Sequence, residues 1–205
     1  MGVFMKDVKN FVNFTEYHAT ANQIPFDLPR EDEAAAGWTV QEKINGKSAT
    51  IKGFEAQFQQ DFQNGFGTIL NYTYTDTSTD ADTFVDGNPY LSDSSKHSFN
   101  VSGYYENEDF QARVAYNWRS SYMLRESGSY GNRLHKPYGS LDLSASYFIT
   151  SQISLNLDVV NLLEDRSKQF GNNVEDTPNS GFTGGFPLYE FEMARRVTLG
   201  ISFKL

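Results

Sequence analysis

The residues of this chain that could do chemistry are few, and their spacing argues for binding rather than catalysis. Four aspartates, Asp76, Asp80, Asp82 and Asp86, lie in DTSTDADTFVDGNPY. Oxygen-rich spacing of this kind suits calcium, but the segment lacks the full Asp/Asn-Gly-Glu pattern of an EF-hand loop. It reads as a solvated acidic loop, and no metal is expected. His18, His97 and His135 are isolated, without the spacing that gathers metal ligands. Ser98 follows His97, but neighbours on a strand point to opposite faces, so they cannot form a nucleophile–base pair. No catalytic constellation emerges, no cofactor is implied, and the chain is not read as an enzyme.

Two sets of residues suit recognition. Phe84, Tyr90, Tyr130, Phe182 and Phe186 fall in polar segments. Aromatic faces there would suit the apolar C–H faces of sugar rings, with Glu175, Asp176 and Asn179 as polar partners. Tyr122 and Tyr189 fit equally well in a membrane-interface girdle. Arg113, Arg119, Asp142 and Asp158 fall on the polar face of three successive strands. They could contact a partner inside the wall or guide a ligand. They could equally pair across strands and satisfy the wall itself.

The elements that must hold these residues are strands with a period of two. In FQARVAYNWRSSY, Phe110, Ala112, Val114, Tyr116 and Trp118 share one face, and Gln111, Arg113, Ala115, Asn117 and Arg119 the other. Leu141, Leu143, Ala145, Tyr147 and Ile149 oppose Asp142, Ser144, Ser146 and Phe148, and Ile153, Leu155, Leu157 and Val159 oppose Ser154, Asn156 and Asp158. Phe99, Val101, Gly103 and Tyr105 oppose Ser98, Asn100, Ser102 and Tyr104, while Phe66, Thr68, Leu70, Tyr72 and Tyr74 oppose Gly67, Ile69, Asn71 and Thr73. GFEAQFQ is weaker, and the opening run around 3–14 is the least regular. Short turns near 61–65, 106–109 and 150–152 alternate with long polar segments at about 15–47, 76–94, 123–136 and 164–189. That alternation suits an outer-membrane barrel, with brief periplasmic turns and long outer loops. A soluble carbohydrate-binding β-sandwich gives no reason for it.

Composition agrees. The chain has 205 residues, no cysteine, a formal net charge of -9 and 15% aromatic residues. One domain is expected, without a disulfide framework. The acidic balance and the lack of a basic stripe argue against nucleic acid. No apolar run is long enough for a membrane-spanning helix, which a barrel does not need. The polar-face residues are mostly small, including Ser98, Asn100, Ser102, Ser140, Ser144, Ser146, Ser154 and Asn156. They would underpack a narrow eight-stranded barrel, so a wide barrel wall is favoured. A self-contained eight-stranded structural or adhesive barrel is the alternative. Met1-Gly2 leads directly into VFMKDVKNFVNF without a signal peptide, which suggests a mature form or a piece of a longer protein.

The final residues, TLGISFKL, alternate to the end. Thr198, Gly200, Phe203 and Leu205 resemble the closing signal read by the barrel-assembly machinery of outer-membrane proteins. NGKSATIKGFEAQFQQDF, GFGTILNYTYTDT, SKHSFNVSGYYENEDFQARVAYNWRSSY, YGSLDLSASYFIT, ISLNLDVVNLLEDR and RRVTLGISFKL together resemble the C-terminal barrel region of TonB-dependent outer-membrane transporters. Leu205, where an aromatic is commonest, and Ala194, where glycine is common, depart from that pattern. The resemblance implies an all-β, antiparallel transmembrane barrel of about 22 strands, with residues 1–205 supplying about its last eight and the plug domain lying elsewhere. It also implies location in the bacterial outer membrane, contact with lipid and lipopolysaccharide, and energising of the parent protein by the TonB complex. The pattern looks most like transporters of sugar-scavenging proteobacteria, so the expected ligand is an oligosaccharide or similar small nutrient.

Overall fold

The computed structural model describes residues 1–10, 12–19, 38–46, 48–79, 91–124, 133–171 and 186–204, and all of the regular structure among them is β. The strands are β1 (Gly2–Val8), β2 (Val12–Ala19), β3 (Trp38–Asn45), β4 (Ala49–Asp61), β5 (Phe66–Thr79), β6 (His97–Glu106) and β7 (Phe110–Arg119). They continue as β8 (Tyr122–Leu124), β9 (Arg133–His135), β10 (Tyr138–Thr150), β11 (Ile153–Val160), β12 (Arg166–Gly171), β13 (Phe186–Glu192) and β14 (Arg196–Phe203). Eight of them form one antiparallel sheet in the order β1-β4-β5-β6-β7-β10-β11-β14. β1 and β14 are its two edges and do not pair with each other. The eight strands therefore make an open wall, unlike the self-contained barrel held as the alternative.

Register carries the sequence alternation across the whole wall. Phe99 faces Trp118, Val101 faces Tyr116 and Gly103 faces Val114. Val114 then faces Leu143, which faces Val159, which faces Val197. One apolar face thus runs unbroken from Val3 opposite Phe54 to Ile153 opposite Phe203. A one-residue slip would turn it over. Much of this face is open, with Phe58, Val114, Leu155, Leu199 and Phe203 all exposed. No second sheet covers it among the described residues, which removes the β-sandwich reading.

Aromatic residues mark two levels of the apolar face. One level holds Phe66, Tyr105 and Phe110, with the Phe66 and Tyr105 rings 4.6 Å apart. The other holds Phe54, Tyr74, Tyr72, Phe99 and Trp118, with Phe99 stacked on Trp118 at 5.2 Å. Leu70, Val101 and Val114 lie between the levels. About 27 Å of strand separates Phe66 from Tyr74. Tilted by ~40°, that gives about 20 Å of height, near the apolar band of a membrane barrel.

The short turns at one end are closed by side-chain oxygens, as turn chemistry requires. Asp61 Oδ1 accepts from Gln63 N at 3.2 Å. Asn107 Oδ1 accepts from Asp109 N and Phe110 N, and Thr150 Oγ1 from Gln152 N and Ile153 N. Gly65 has φ +84°, and a Cβ there would lie 2.4 Å from the Glu106 carbonyl oxygen, so only glycine fits.

The opposite end differs from the sequence reading, which treated 15–47, 123–136 and 164–189 as loops. Pairing continues beyond the wall instead. β2 pairs β3, with Val12 opposite Asn45, in the same register as β1 and β4. β8, β9, β12 and β13 form a further sheet, ordered β13-β12-β9-β8. Backbone pairing does not depend on alternation, and above the apolar band no lipid imposes it. The irregular opening run is likewise an ordinary edge strand, β1, and the weak GFEAQFQ stretch sits within the 13-residue β4.

Candidate ligand-facing wall

On the polar face, two adjacent rows cross β5, β6, β7 and β10. The upper row is Thr73, Ser98, Arg119 and Tyr138, and the lower is Asn71, Asn100, Asn117 and Ser140. They line an open depression of about 430 Å³. Asn100 Nδ2 donates to Asn117 Oδ1, linking two of the amides. Further along the face, Ser146 Oγ donates to Asn156 Oδ1, and Asn156 Nδ2 donates to Ser202 Oγ, both at 2.9 Å. Arg119 is the one charged residue lining the depression, and the small residues of the face leave room in front of it.

Arg119 is the one cation lining the depression. Its Nε donates to Ser95 Oγ at 2.8 Å, and its Nη2 to the Asp93 carbonyl oxygen at 3.0 Å. Its guanidinium carbon lies 3.9 Å from the centre of the Tyr122 ring, within range of a cation–π contact. Tyr122 in turn stacks on His135, with centroids 4.8 Å apart and planes 10° apart. His135 is buried, with Nδ1 2.7 Å from the Lys136 carbonyl oxygen and Nε2 2.8 Å from Ser167 Oγ. The stack continues the polar face upward from Arg119. On the same side of the upper sheet, Gln169 faces both His135 and Tyr189, and Ser167 faces Phe191. The opposite side carries the ion pairs of Arg166 with Glu190 and Glu192, each 3.1 Å, and of Lys168 with Glu190, 3.3 Å. These hold the Arg166 guanidinium pKa above its ordinary value and the Glu190 carboxyl below it, through hydrogen bonds in both cases. Arg166 and Lys168 border a depression of about 360 Å³ shared with Tyr116 and Gly139 of the apolar face.

The four charged residues singled out from the sequence do lie on the polar face of β7, β10 and β11, but they do not form a charge ladder. Arg113 Nη2 lies 3.5 Å from Ser102 Oγ. Asp142 accepts from Ser140 Oγ at 2.7 Å and from the Asn161 backbone N–H at 2.9 Å. It belongs to a knot at the upper end of β11. Asn161, buried with φ 55°, donates from Nδ2 to the Met193 carbonyl oxygen and accepts at Oδ1 from Asp165 N. Asp165 Oδ2 accepts from Gly139 N. This ties β10, β11 and the approach to β14 together. Asp158 faces Ser144 and Thr198. No ion pair joins any two of the four among the described residues.

Of the aromatics expected to touch ligand, Phe84, Tyr90, Tyr130 and Phe182 lie outside the described residues, as do Glu175, Asp176 and Asn179. Phe186 begins β13, and its side chain is not described. Asp80, Asp82 and Asp86 of the calcium reading also lie outside. Asp76 is in β5, 3.6 Å from Lys52 Nζ. His97 faces away from Ser98, with Nδ1 2.7 Å from the Tyr72 hydroxyl. Tyr122 belongs to the Arg119 stack, not to a girdle. Thr198, Gly200 and Phe203 lie on the exposed edge strand β14, and Leu205 is outside the described residues. Sequence reasoning passed over the row Asn71, Asn100 and Asn117. Its signal was present, as one amide at the same level of three successive polar faces.

An open antiparallel wall with one apolar face, two aromatic levels, short turns at one end and extended hairpins at the other defines part of a membrane β-barrel. The family described as TonB dependent receptor-like, beta-barrel, matches residues 1–162, and the chain belongs to it. Members of this family are outer-membrane proteins of Gram-negative bacteria that work with TonB and carry plug domains. They are receptors and transporters rather than enzymes. Comparison with curated proteins yields no match. Among solved structures, the chain is similar to the ferric enterobactin receptor PfeA from Pseudomonas aeruginosa, at 18% identity and a TM-score of 0.64, covering 98% of this chain and 28% of that one. It is also similar to the ferric-catecholate import receptor Fiu from E. coli K12, at 15% identity and a TM-score of 0.59, covering 98% and 24%. A copper transporter, OprC, shares 14% identity and a TM-score of 0.63, covering 98% and 28%. These likenesses concern the fold, and the chain spans about a quarter of each relative's length.

Proposed function

We propose that this chain is the C-terminal part of the barrel of a TonB-dependent transporter in the bacterial outer membrane, and that the whole protein takes up an oligosaccharide or a similar polyhydroxylated nutrient. The depression on the polar face carries the ligand reading. Its three asparagines, three serine or threonine hydroxyls and one tyrosine offer donors and acceptors without a carboxylate. Such a surface matches sugar hydroxyls, which need both kinds of partner. The ligands named for the similar structures differ among themselves, so the fold alone does not choose between them.

In the whole protein, the apolar face meets lipid and lipopolysaccharide. Arg113, Asp142 and Asp158, below the depression, meet the plug. The edges β1 and β14 pair with the remaining barrel strands, and Thr198, Gly200 and Phe203, with Leu205, are read by the barrel-assembly machinery. Phe84, Tyr90, Tyr130, Phe182 and Phe186 are the aromatics we propose for ligand contact. TonB energises release into the periplasm, and no bond of the ligand is made or broken.

The test is growth on oligosaccharides as sole carbon source, in strains with and without the full-length gene and with and without TonB. Growth that needs both is the expected result. A requirement for the gene only under iron or copper limitation would replace the sugar with a metal complex.

A further inference from the structure

Resting on the oligosaccharide reading, we infer that the ligand carries a carboxylate and that Arg119 is the residue that selects for it. Arg119 is held from three sides, by Ser95 Oγ, by the Asp93 carbonyl oxygen and by the Tyr122 ring. That fixes a side chain which otherwise has many rotamers, so binding through it orders little more. Two N–H groups are used by these bonds, and a guanidinium has five. Asp93 contributes its backbone oxygen, and Arg119 makes no ion pair among the described residues. The cations of the opposite side of the upper sheet behave differently, since Arg166 and Lys168 are closely matched by Glu190 and Glu192. In a chain of net charge -9, an arginine positioned in this way, with no counter-ion among the described residues, is a site prepared for an anion.

Its surroundings say which anion. Arg119 borders the depression beside Ser98, Tyr138, Asn100 and Asn117. A carboxylate on Arg119 would leave the attached ring's hydroxyls over the amide row, one residue pair lower on the wall. A planar carboxylate also fits the guanidinium fork with two parallel hydrogen bonds. Asp142, the nearest acid on the polar face of β10, is occupied by Ser140 and the Asn161 backbone. Height on the wall favours ligand over plug. Arg119 is the last residue of β7, beside Trp118 of the upper aromatic level. Arg113 lies about 15 Å lower at the usual rise and tilt.

The test is binding of uronate-bearing oligosaccharides, their methyl esters and neutral counterparts to the full-length protein in detergent, by calorimetry. The esters keep shape and hydroxyls and remove the charge. The acids should bind on the order of ten- to a hundredfold more tightly than the esters, as one charge-assisted contact implies. Arg119→Gln should abolish that preference by weakening acid binding far more than ester binding, and Arg119→Lys should restore part of it. Equal binding of acid and ester by the unaltered protein overturns the inference and leaves the oligosaccharide reading standing. So does an Arg119→Gln variant that keeps the preference, or one that alters only plug stability. Binding of no saccharide at all, with growth under TonB control failing as well, overturns both.

Discussion

Replacing Asn161 should destabilise the wall, and its cost can be worked from the knot it ties. Its amide makes two well-formed bonds, from Nδ2 to the Met193 carbonyl oxygen and from Asp165 N to Oδ1, at 2.5 and 3.2 Å. A third contact, to the Asp165 carbonyl oxygen at 3.5 Å, is too long to count. At about 1 kcal/mol net for each good bond, losing the amide costs about 2 kcal/mol. The backbone adds to this. Asn161 has φ 55°, a left-handed conformation that asparagine tolerates and alanine resists by about 1 kcal/mol or more. Asn161→Ala should therefore cost about 3 kcal/mol, and Asn161→Gly, which relieves the backbone, about 2 kcal/mol. The assay is reversible urea unfolding of the full-length protein in lipid vesicles, followed by tryptophan fluorescence and heat-modifiable migration. Two variants equally destabilised would remove the backbone contribution. Losses below about 0.5 kcal/mol in both would show that water replaces the amide at the strand end and refute the clamp.

Two further predictions address the orientation of the wall and its upper rim. Leu143 and Ser144 are neighbours on β10 that face opposite ways, Leu143 toward Val114 and Ser144 toward Arg113. Leu143→Arg should destabilise the protein in lipid by about 2–4 kcal/mol, and Ser144→Arg by well under half of that; reversed costs in the same unfolding assay would exchange the lipid and lumen faces. The Glu190 carboxyl lies below its ordinary pKa through its hydrogen bonds to Arg166 and Lys168. Its contribution is then present above the unfolded pKa and fades as pH falls through the depressed folded value. Amide exchange in β12 and β13, corrected for the intrinsic rate, should become faster as pH drops below about 4, and more so than in β10. Equal protection of β12 and β13 at pH 7 and at acid pH would discount the Glu190 ion pairs.

Much of the wall was legible because its two faces meet different solvents. The alternation of Phe110, Ala112, Val114, Tyr116 and Trp118 against Gln111, Arg113, Ala115, Asn117 and Arg119 fixes which way each residue points, and the register of β7 with β6 and β10 agrees residue by residue. Above the apolar band that constraint is gone. β2, β3, β8, β9, β12 and β13 pair through backbone groups that nearly all residue types carry, so composition marked their segments only as polar. The opening run looked irregular for another reason. β1 has a neighbour on one side only, and its Met5 and Val3 stand exposed beside Lys6 and Asp7.

The site was legible in part. Sequence placed Arg113, Arg119, Asp142 and Asp158 on one face because a period of two requires it. It did not separate them, because which charges meet depends on strand stagger and on where strands end. Asp142 is taken by the Asn161 backbone only because β11 stops there with a left-handed residue. Arg119 is held by Tyr122, Ser95 and the Asp93 carbonyl oxygen because β7 ends there and the chain turns at Ser120, bringing Tyr122 against its guanidinium. The period of the side chains thus determined the fold class and the direction of the residues on the regular wall strands, since solvent on each face acts one residue at a time. The pairing of Asn100 with Asn117 and the Arg119–Tyr122–His135 stack were decided by tertiary structure, because each depends on groups that only the register of distant strands brings together.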